Sequence, residues 1–580
     1  MPFLTSKVTP VHQDQEDKED EVSVVIGMDM YVILLHTLLK RYGGERHSKI
    51  EQYKEFRDRG ELILWKYVPP DSTIIYISHE WVGKTHPDPQ GDHFYHLVLL
   101  LERLLRGDVD RTDMDAFHSL LYKHNCTTTA EEWRCMLDPE KTFIFYDGFC
   151  VSKEERDEAF RFVPEIIKRC DFMIILAPGC THFDKIDPRT GRKMNLCYRT
   201  YRLNAMCVFE MFSAFLTTKG GEQVRPALLV RSGQGKPNWS SPLECLKLAV
   251  GTSIFDCCET NHERIETCQR PSVKQILVEM IHARVASLFR CEGTISEARW
   301  TACFETWWLR GLSDSSERTC ISTSAFKRNV LRWNVSSSFD EEGYSILGYA
   351  SLYNDTNVVN ELLREVNKIS DKHARAKCLV SRVPKKGLSN LGITGEITAL
   401  VIAMGFSSSE IVSLLLKHGA DPYEHDVTGN DGFMMGSIFG RTDNVKFWLK
   451  RFPDWDVERT NSIAGIAAFG LGIHMGPKRF ELAKLLLTQG SSPTRFNARG
   501  SSALMSLCSN EDSDISVLKH LLGTSCGNLV NVQRHAKTLK WKMIYRLAKS
   551  VVRFGLSDSG LMRALASQNG ATALHHAVQR

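Results

Sequence analysis

A unit of two short apolar helices recurs through the C-terminal part of the chain. Its first half is a glycine, a few polar residues and a short apolar run, as in Gly343–Ala350 and Gly395–Ala403. Its second half is a run rich in leucine, isoleucine or valine, as in Val358–Leu363 and Ile411–Leu416. Neither helix can bury its apolar face alone, so the pattern predicts copies that stack into one elongated helical array.

These units resemble ankyrin repeats, in which a TPLHxA-like first helix turns back into an LLL-containing second helix and a Gly-Ala-Asp hairpin leads to the next copy. The second copy continues into the matching hairpin sequence Gly419-Ala420-Asp421. Further copies are Gly429–Met434, Ala464–Pro493, Gly500–Leu504 with Val517–Leu522, and Gly570–Ala577. The resemblance covers residues 340–580 and implies an all-α ankyrin repeat solenoid whose concave face binds a protein partner.

Two insertions interrupt the repeats. Residues 367–390 separate the first two copies, and residues 534–562, which begin with a basic stretch, interrupt the last. The last copy ends inside its first helix at Arg580, so we expect an incomplete repeat and a chain that is a piece of a longer protein. The alternative interpretation is an unrelated helical array with chance similarity to the repeat.

The chain before the repeats has a different pattern, in which short β-rich apolar runs alternate with helical stretches. The four runs are Thr73–Ser78, Thr142–Tyr146, Phe172–Leu176 and Ala227–Val230. This alternation predicts a doubly wound α/β parallel sheet, whose ligands bind at the carboxyl ends of the strands.

The remaining segments complete the predicted domain organisation. We predict a disordered tail over 1–21, because it lacks apolar periodicity, and a helical lead-in over 22–70. Two amphipathic stretches extend the α/β domain, which we place at 71–311. A Ser-rich polar segment follows, so a linker is predicted over 312–339.

Four short sequences at the predicted strand ends and on the following helix suggest a family. They are SHEW at 78–81, HPDP at 86–89, YD at 146–147 and CVFE at 207–210. Together they resemble a divergent Toll/interleukin-1 receptor (TIR) module, which has a flavodoxin-like α/β fold. The SHEW…HPDP block is similar to a group of protist proteins that join such a module to ankyrin repeats. Cys207 and Glu210 match the WCxxE block of the family, whereas Met206 replaces its tryptophan.

The resemblance implies roles for particular residues. In TIR enzymes the matching glutamate holds the nicotinamide-side ribose of NAD and supports cleavage of the glycosidic bond, so Glu210 is the candidate catalytic residue. The candidate residues around bound NAD are Ser78, Trp81, Asp88 and Asp147. The alternatives are a helix-face glutamate paired with Arg199 or Arg202, and aspartates that act only as caps or turn formers.

Net charge and cysteine spacing argue against nucleic-acid binding, membrane binding and a metal site. The chain has 73 Lys and Arg against 69 Asp and Glu, a net charge of +4, which gives no field that favours nucleic acid or an anionic membrane. Its 17 cysteines never form CxxC, so we expect reduced thiols, a cytoplasmic location and no metal site. His79, Glu80 and His86 do not have the HExxH spacing of a zinc site.

Other motif classes lack support. Only residues 22–39 approach the length of a membrane span, and Asp29 and His36 interrupt them, so no membrane span is predicted. The motifs of P-loop proteins, Rossmann dinucleotide-binding proteins, α/β-hydrolases and protein kinases are absent from the sequence.

Two functional hypotheses follow. In the first, the chain is a cytoplasmic signalling scaffold without a cofactor, whose TIR-like module assembles with itself and whose ankyrin solenoid binds another protein. In the second, it is an NAD glycohydrolase, with NAD as substrate, regulated by the solenoid. The enzyme requires Glu210 in a pocket at the strand ends beside apolar and aromatic side chains, whereas the scaffold does not.

Overall fold

The computed structural model describes residues 29–578 apart from 45, 48–49, 115–125, 153–154, 188–189, 218–225, 260–267, 313–320, 334–337, 372–387, 389–390, 392, 475–478, 511–512 and 557–559. The predicted tail over 1–21 and most of the predicted insertion over 367–390 lie outside these residues.

A mixed sheet of seven strands forms the centre of the N-terminal region. The strands of the described chain are β1 Tyr31–Leu34, β2 Leu62–Leu64, β3 Thr73–His79, β4 Arg111–Asp113, β5 Thr127–Thr129, β6 Thr142–Phe145, β7 Phe172–Leu176, β8 Cys180–Ile186, β9 Lys193–Leu196, β10 Ala227–Val230 and β11 Asn238–Ser240. The order in the main sheet is β11-β10-β7-β3-β6-β1-β2, and β4 with β5 and β8 with β9 form two small antiparallel pairs.

The four predicted strands are the parallel part of this sheet. β6, β3, β7 and β10 lie side by side in parallel, while β1, β2 and β11 join antiparallel at the edges. The chain order of the parallel strands reverses between β3 and β7. In open α/β sheets ligands bind outside the carboxyl ends of the strands at such a reversal, so this edge contains the candidate site.

Helices cover both faces of the sheet. They are α1 Leu35–Tyr42, α2 Tyr53–Asp58, α3 Asp92–Arg106, α4 Ala130–Met136, α5 Asp147–Cys150, α6 Arg156–Ala159, α7 Val163–Arg169, α8 Tyr198–Tyr201, α9 Ala205–Leu216, α10 Asp256–Glu259, α11 Gln269–Arg290 and α12 Ile295–Trp308. α3 contacts α1 and α4, and α9 contacts α7 and α11. Right-handed crossovers place these two groups on opposite faces, which makes the N-terminal region an α/β fold.

The predicted helical lead-in over 22–70 supplies strands β1 and β2 as well as α1 and α2. β1 pairs with β2 on one side and with β6 on the other, through Ile33 opposite Ile144. Periodicity cannot separate a short buried apolar run from a helix segment, and here the two neighbouring strands satisfy the backbone of β1.

The C-terminal region is helical. Its helices are α13 Thr323–Ala325, α14 Ile346–Tyr353, α15 Thr356–Asn367, α16 Ala399–Phe406, α17 Ser409–Lys417, α18 Gly432–Ile438, α19 Thr442–Arg451, α20 Ala468–His474, α21 Phe480–Thr488, α22 Ala503–Cys508, α23 Ile515–Leu522, α24 Leu539–Arg553, α25 Gly560–Gln568 and α26 Ala573–Val578. One row of successive contacts runs through α12, α14, α16, α18, α20, α22 and α26, and a second row joins α13, α15, α17 and α19.

The turns before the first helices share one construction. A side-chain oxygen accepts backbone N–H groups two to five residues ahead in turns that begin at Asp340, Asp426, Asn461 and Asn497. A glycine with positive φ follows in each turn, at Gly343, Gly429, Gly465 and Gly500. Residues with a Cβ atom avoid this conformation, which explains the glycine in these four turns. In the copy that begins at Gly395, Glu396 adopts the positive φ instead.

Backbone hydrogen bonds also join successive loops, from the one at Gly395 to the one at Lys537. Val427 N–H donates to Gly395 O at 2.9 Å, Ser462 N–H to Thr428 O at 3.0 Å, Ala498 N–H to Ala464 O at 2.9 Å and Lys537 N–H to Ala498 O at 3.1 Å. The loops are therefore connected along the array, independently of the helix packing.

Helix α12 connects the two regions. Trp308 packs against Phe212 and Phe215 of α9, whereas Trp307 lies edge-on to Phe406 and Phe439 at the ends of α16 and α18. The rings share one continuous apolar core.

The predicted linker over 312–339 is partly structured. Its residues 323–330 are helical, and Phe326 and Leu331 are buried, with the Phe326 ring 5.0 Å from that of Tyr353. Phe326 packs against α14, and residues 326–330 also contact α12, which accounts for local order in a Ser-rich segment.

The second predicted insertion, residues 534–562, contains α24 and the first residues of α25, which packs against α24 and continues to Gln568. The chain closes on itself beyond the predicted end, because Arg534 N–H donates to Ala571 O and Gly570 N–H donates to Arg534 O, both at 2.8 Å. Arg563 of α25 forms an ion pair of 2.5 Å with Asp113 of β4. Within the described residues, no helix has both the length and the apolar character needed to cross a membrane.

We predict that Asp426→Ala lowers the free energy of unfolding by about 3 kcal/mol, because several buried donors lose their acceptor. The fully buried carboxylate accepts from the Thr428 and Asn430 N–H groups and from the Thr394 hydroxyl. Urea denaturation followed by circular dichroism measures the change. Asp421→Ala is the control in the same loop, since Asp421 is exposed and accepts from the Tyr423 N–H. Equal losses for the two variants would contradict the role of the buried turn.

Candidate functional site

The candidate catalytic residue Glu210 lies on α9, against the carboxyl end of β3. Asn204 caps α9 by accepting the Met206 and Cys207 N–H groups at 2.9 and 3.3 Å. Tyr76 and Ser78 are two residues apart on β3, so their side chains project from the same face of the sheet. α9 contacts β3, and the Glu210 carboxyl group reaches both of these hydroxyls.

Both oxygens of Glu210 accept hydrogen bonds. The Tyr76 hydroxyl donates to Oε1 at 2.8 Å, and the Ser78 hydroxyl donates to Oε2. Ser78 Oγ also hydrogen-bonds to the Tyr201 hydroxyl. The three hydroxyl groups fix the orientation of the carboxyl group.

Burial is the largest cause of a raised pKa at Glu210, which reaches about 7. The hydrogen bonds from Ser78 and Tyr76 act in the opposite direction, and the negative charge of Asp147 adds to the rise. A carboxyl group with a pKa near neutral exchanges a proton readily at physiological pH, which suits general acid–base chemistry.

A second group of side chains lies beside the first. His79 Nε2 is 2.8 Å from Asp147 Oδ1, and Trp81 Nε1–H donates to Asp147 Oδ2 at 2.8 Å. The buried His79 ring stacks on Tyr146, with ring centroids 4.6 Å apart. Burial is the largest single cause and lowers the pKa of His79, but the carboxyl groups of Asp147, Glu210 and Asp88 together outweigh it and the pKa is raised. The pair therefore favours the charged imidazolium and carboxylate forms.

The structure brings most of the predicted site residues to this sheet edge. Ser78 contacts Glu210, and Trp81 contacts Asp147. Asp88 instead accepts the Asp92 and Phe94 N–H groups, both at 2.9 Å, at the start of α3. Its position is the one expected of a helix cap, the alternative considered for it above.

Three residues near Glu210 have contacts that the sequence analysis did not predict. Arg202, one of the two arginines considered as partners of Glu210, forms a buried ion pair of 3.2 Å with Glu244. Tyr76 and Tyr201 were not predicted as site residues. Tyr76 could have been predicted as a neighbour of Glu210, because residues two apart on a strand share a face and Ser78 was already a candidate. No sequence pattern indicates Tyr201, because its position depends on how α8 packs.

A second candidate surface lies on the loops of the helical region. Tyr423, Val427 and Ile463 are exposed to 59%, 44% and 45%. The Tyr423 ring stacks on Trp455 with centroids 5.1 Å apart, and the Arg459 guanidinium lies 5.3 Å from the centre of the Tyr423 ring. We call these five residues the loop ridge.

No protein-family model matches the chain, and no curated protein matches it. The interpretation of both candidate surfaces therefore rests on the motifs and on the contacts described here.

We predict that replacing Glu210 by Gln changes the pH dependence of stability. From pH 4.5 to 7 the folded wild type retains a proton that the unfolded chain has released, so its stability falls as the pH rises. Glu210→Gln lacks this effect, so its stability relative to wild type should increase by about 3 kcal/mol across that range. Denaturant titrations at a series of pH values measure the difference.

Ser78→Ala provides the matched control for this measurement. It removes a hydrogen bond that lowers the pKa of Glu210, so this pKa should rise further. The loss of stability with increasing pH should then continue to a higher pH than in wild type. If the difference in free energy of unfolding between wild type and Glu210→Gln did not change with pH, the Glu210 carboxyl group would be ionised over the whole range from pH 4.5 to 7. That result would refute the prediction.

Proposed function

We propose that the protein is a signalling scaffold that binds a protein partner through ankyrin repeats and assembles with itself through a TIR-like α/β module. The observation that carries this proposal is the loop ridge, because it offers exposed apolar side chains on loops joined by backbone hydrogen bonds. Rigid loops lose little conformational entropy when a partner binds.

The chemistry of the loop ridge suits a protein partner. Interface centres are enriched in tyrosine and arginine, and the exposed Tyr423 with the partly exposed Arg459 forms such a group. The Tyr423 ring stacks on the buried Trp455, which holds it in place. The exposed Val427 and Ile463 add apolar area beside it. Repeat arrays use their loops and inner helices as extended binding surfaces, which is consistent with the ankyrin resemblance.

The proposed location is the cytoplasm, because reduced thiols persist there. No disulfide joins the cysteines of the described residues, and Cys135 and Cys291 are exposed. The net charge of +4 gives no support for nucleic acid as the partner.

Partner capture with matched surface variants tests the scaffold proposal. We expect Tyr423→Ala combined with Ile463→Ser to weaken capture of a specific protein by about 10-fold or more, as for loss of an interface hot spot. Ile515→Ser combined with Leu522→Ser, which changes exposed residues on α23, serves as the control. Quantitative mass spectrometry of proteins retained by the immobilised full chain gives the readout. A set of captured proteins that is identical for both variants would refute binding through the loop ridge.

A second candidate function is NAD glycohydrolysis, and the environment of Glu210 favours it. Its carboxyl group lies where the strand order reverses, has a pKa near 7 and is held by the Tyr76 and Ser78 hydroxyls. In this mechanism the carboxylate holds a ribose while positive charge develops at the anomeric carbon of the ribose, as the bond to nicotinamide breaks.

Nicotinamide release from NAD by the purified chain tests this second candidate. Glu210→Gln keeps the shape but removes the charge, and we expect the rate to fall by about 100-fold or more. Glu131→Gln, at an exposed glutamate of α4, is the control and should leave the rate unchanged. The assay is run with the protein dilute and crowded, because self-assembly is part of the proposal. Absence of release in both states would leave only the scaffold function.

A further inference from the structure

Three cysteines converge beside the α/β unit, outside the site described above. Cys257 and Cys258 are adjacent on α10, and Cys268 immediately precedes α11. The sulfur of Cys258 lies 3.8 Å from that of Cys257 and 3.8 Å from that of Cys268. All three sulfur atoms lie within 4.8 Å of one another.

The two shorter separations are those of thiolates around one tetrahedral ion. A zinc–sulfur bond of about 2.3 Å and a tetrahedral angle place two ligand sulfurs about 3.8 Å apart. A disulfide would require a sulfur–sulfur distance of about 2.05 Å. Two of the three sulfur pairs therefore have the spacing of metal ligands, the third pair lies within 4.8 Å, and none is covalently joined.

The surroundings of the cluster suit bound thiolates. Arg270, two residues after Cys268, places a positive charge near the Cys258 sulfur, which offsets the negative charge that three thiolates leave on a divalent ion. Cys268 is at the N-terminal end of the 22-residue helix α11, where the helix dipole favours an anion. Cys257 is buried, while Cys258 and Cys268 are partly buried, so an ion can reach the cluster from one side.

The segment that carries the first two cysteines is attached to the beginning of α9. Ile254 N–H donates to Leu203 O at 2.7 Å, and Ala205 N–H donates to Ile254 O at 2.8 Å. A metal ion that joins α10 to α11 would therefore also stabilise the backbone pairing of Ile254 with Leu203 and Ala205, at the first turn of α9.

We propose that Cys257, Cys258 and Cys268 bind one zinc ion, with a water molecule as its fourth ligand. Three soft thiolate donors select a thiophilic ion such as Zn²⁺ over Mg²⁺ or Ca²⁺. Zinc bonded to residues on both sides of the α10–α11 connection stabilises the folded chain, because the unfolded chain does not hold the three thiolates together. Cys257 and Cys258 are adjacent, and Cys268 follows Cys258 by ten residues. This spacing contains no CxxC motif, which is why the sequence alone did not reveal the site.

Metal content and cobalt spectroscopy of the full chain test the proposal. Anaerobically purified protein should retain about one zinc per chain by elemental analysis. Titration of the zinc-free chain with Co²⁺ should give a near-ultraviolet thiolate-to-cobalt charge-transfer band together with intense visible bands of tetrahedral cobalt. Absence of stoichiometric zinc, together with no thiolate-to-cobalt band, would overturn the site.

Cysteine variants identify the ligands. Cys258→Ser and Cys268→Ser should each weaken zinc binding by at least about 100-fold, since even the loss of outer-shell partners of a metal costs 10- to 100-fold. Cys291→Ser is the control, because Cys291 is exposed at the opposite end of α11. Zinc should raise the thermal midpoint of wild type and Cys291→Ser but not of the two ligand variants.

Two outcomes would assign a different role to the cluster. A disulfide between Cys258 and Cys268 in the anaerobically purified chain, found by peptide mass spectrometry in place of zinc, would overturn the proposal. Unchanged zinc affinity in both ligand variants, with their circular dichroism spectra equal to that of wild type, would also overturn it. These readouts do not depend on partner binding or on NAD cleavage.

Discussion

The three tryptophans of helix α12 must all be shielded from water, and no single neighbouring element covers them. Trp308 is covered by α9 of the α/β unit, Trp307 by the ends of α16 and α18, and Trp300 by Tyr349 of α14. A buried tryptophan removes about 150 to 250 Å² of surface from water, which corresponds to about 4 to 6 kcal/mol at 25 cal/mol per Å². The helix is therefore stable only when both regions pack against it, and this requirement fixes where the helical array begins relative to the sheet.

The sequence predicted the elements whose signals are local. The four parallel strands are continuous apolar runs, and the first helices of the predicted units follow a glycine and a capping residue such as Ser345 or Thr398. Strands β1 and β2 were missed because short apolar runs also occur in buried helices, and only pairing with β6 decides between the two. The burial of Phe326 inside the predicted linker likewise depends on a partner far along the chain.

Only part of the candidate site followed from the sequence. The family resemblance indicated Glu210 and Ser78, which the structure places in contact, and strand alternation adds Tyr76. The His79–Asp147 pair could not be predicted, because it joins the ends of two different strands. The pKa of Glu210 is raised because α9 packs on the sheet and buries the carboxyl group. On a solvent-exposed helix face the same carboxyl group would be hydrated, and burial would not raise its pKa.

The meeting of Arg534 with Gly570 and Ala571 affects how the chain can evolve. The backbone leaves the helical array after one paired position and returns to it at the same position, so the residues between form a closed insertion that contains α24 and α25. Changing the length of such an insertion costs little closure entropy, since each doubling adds only about 0.6 kcal/mol. Recombination can therefore lengthen, shorten or exchange this insertion without displacing the surrounding helices, and the ion pair from Arg563 to Asp113 is the contact with β4 that such an exchange would alter.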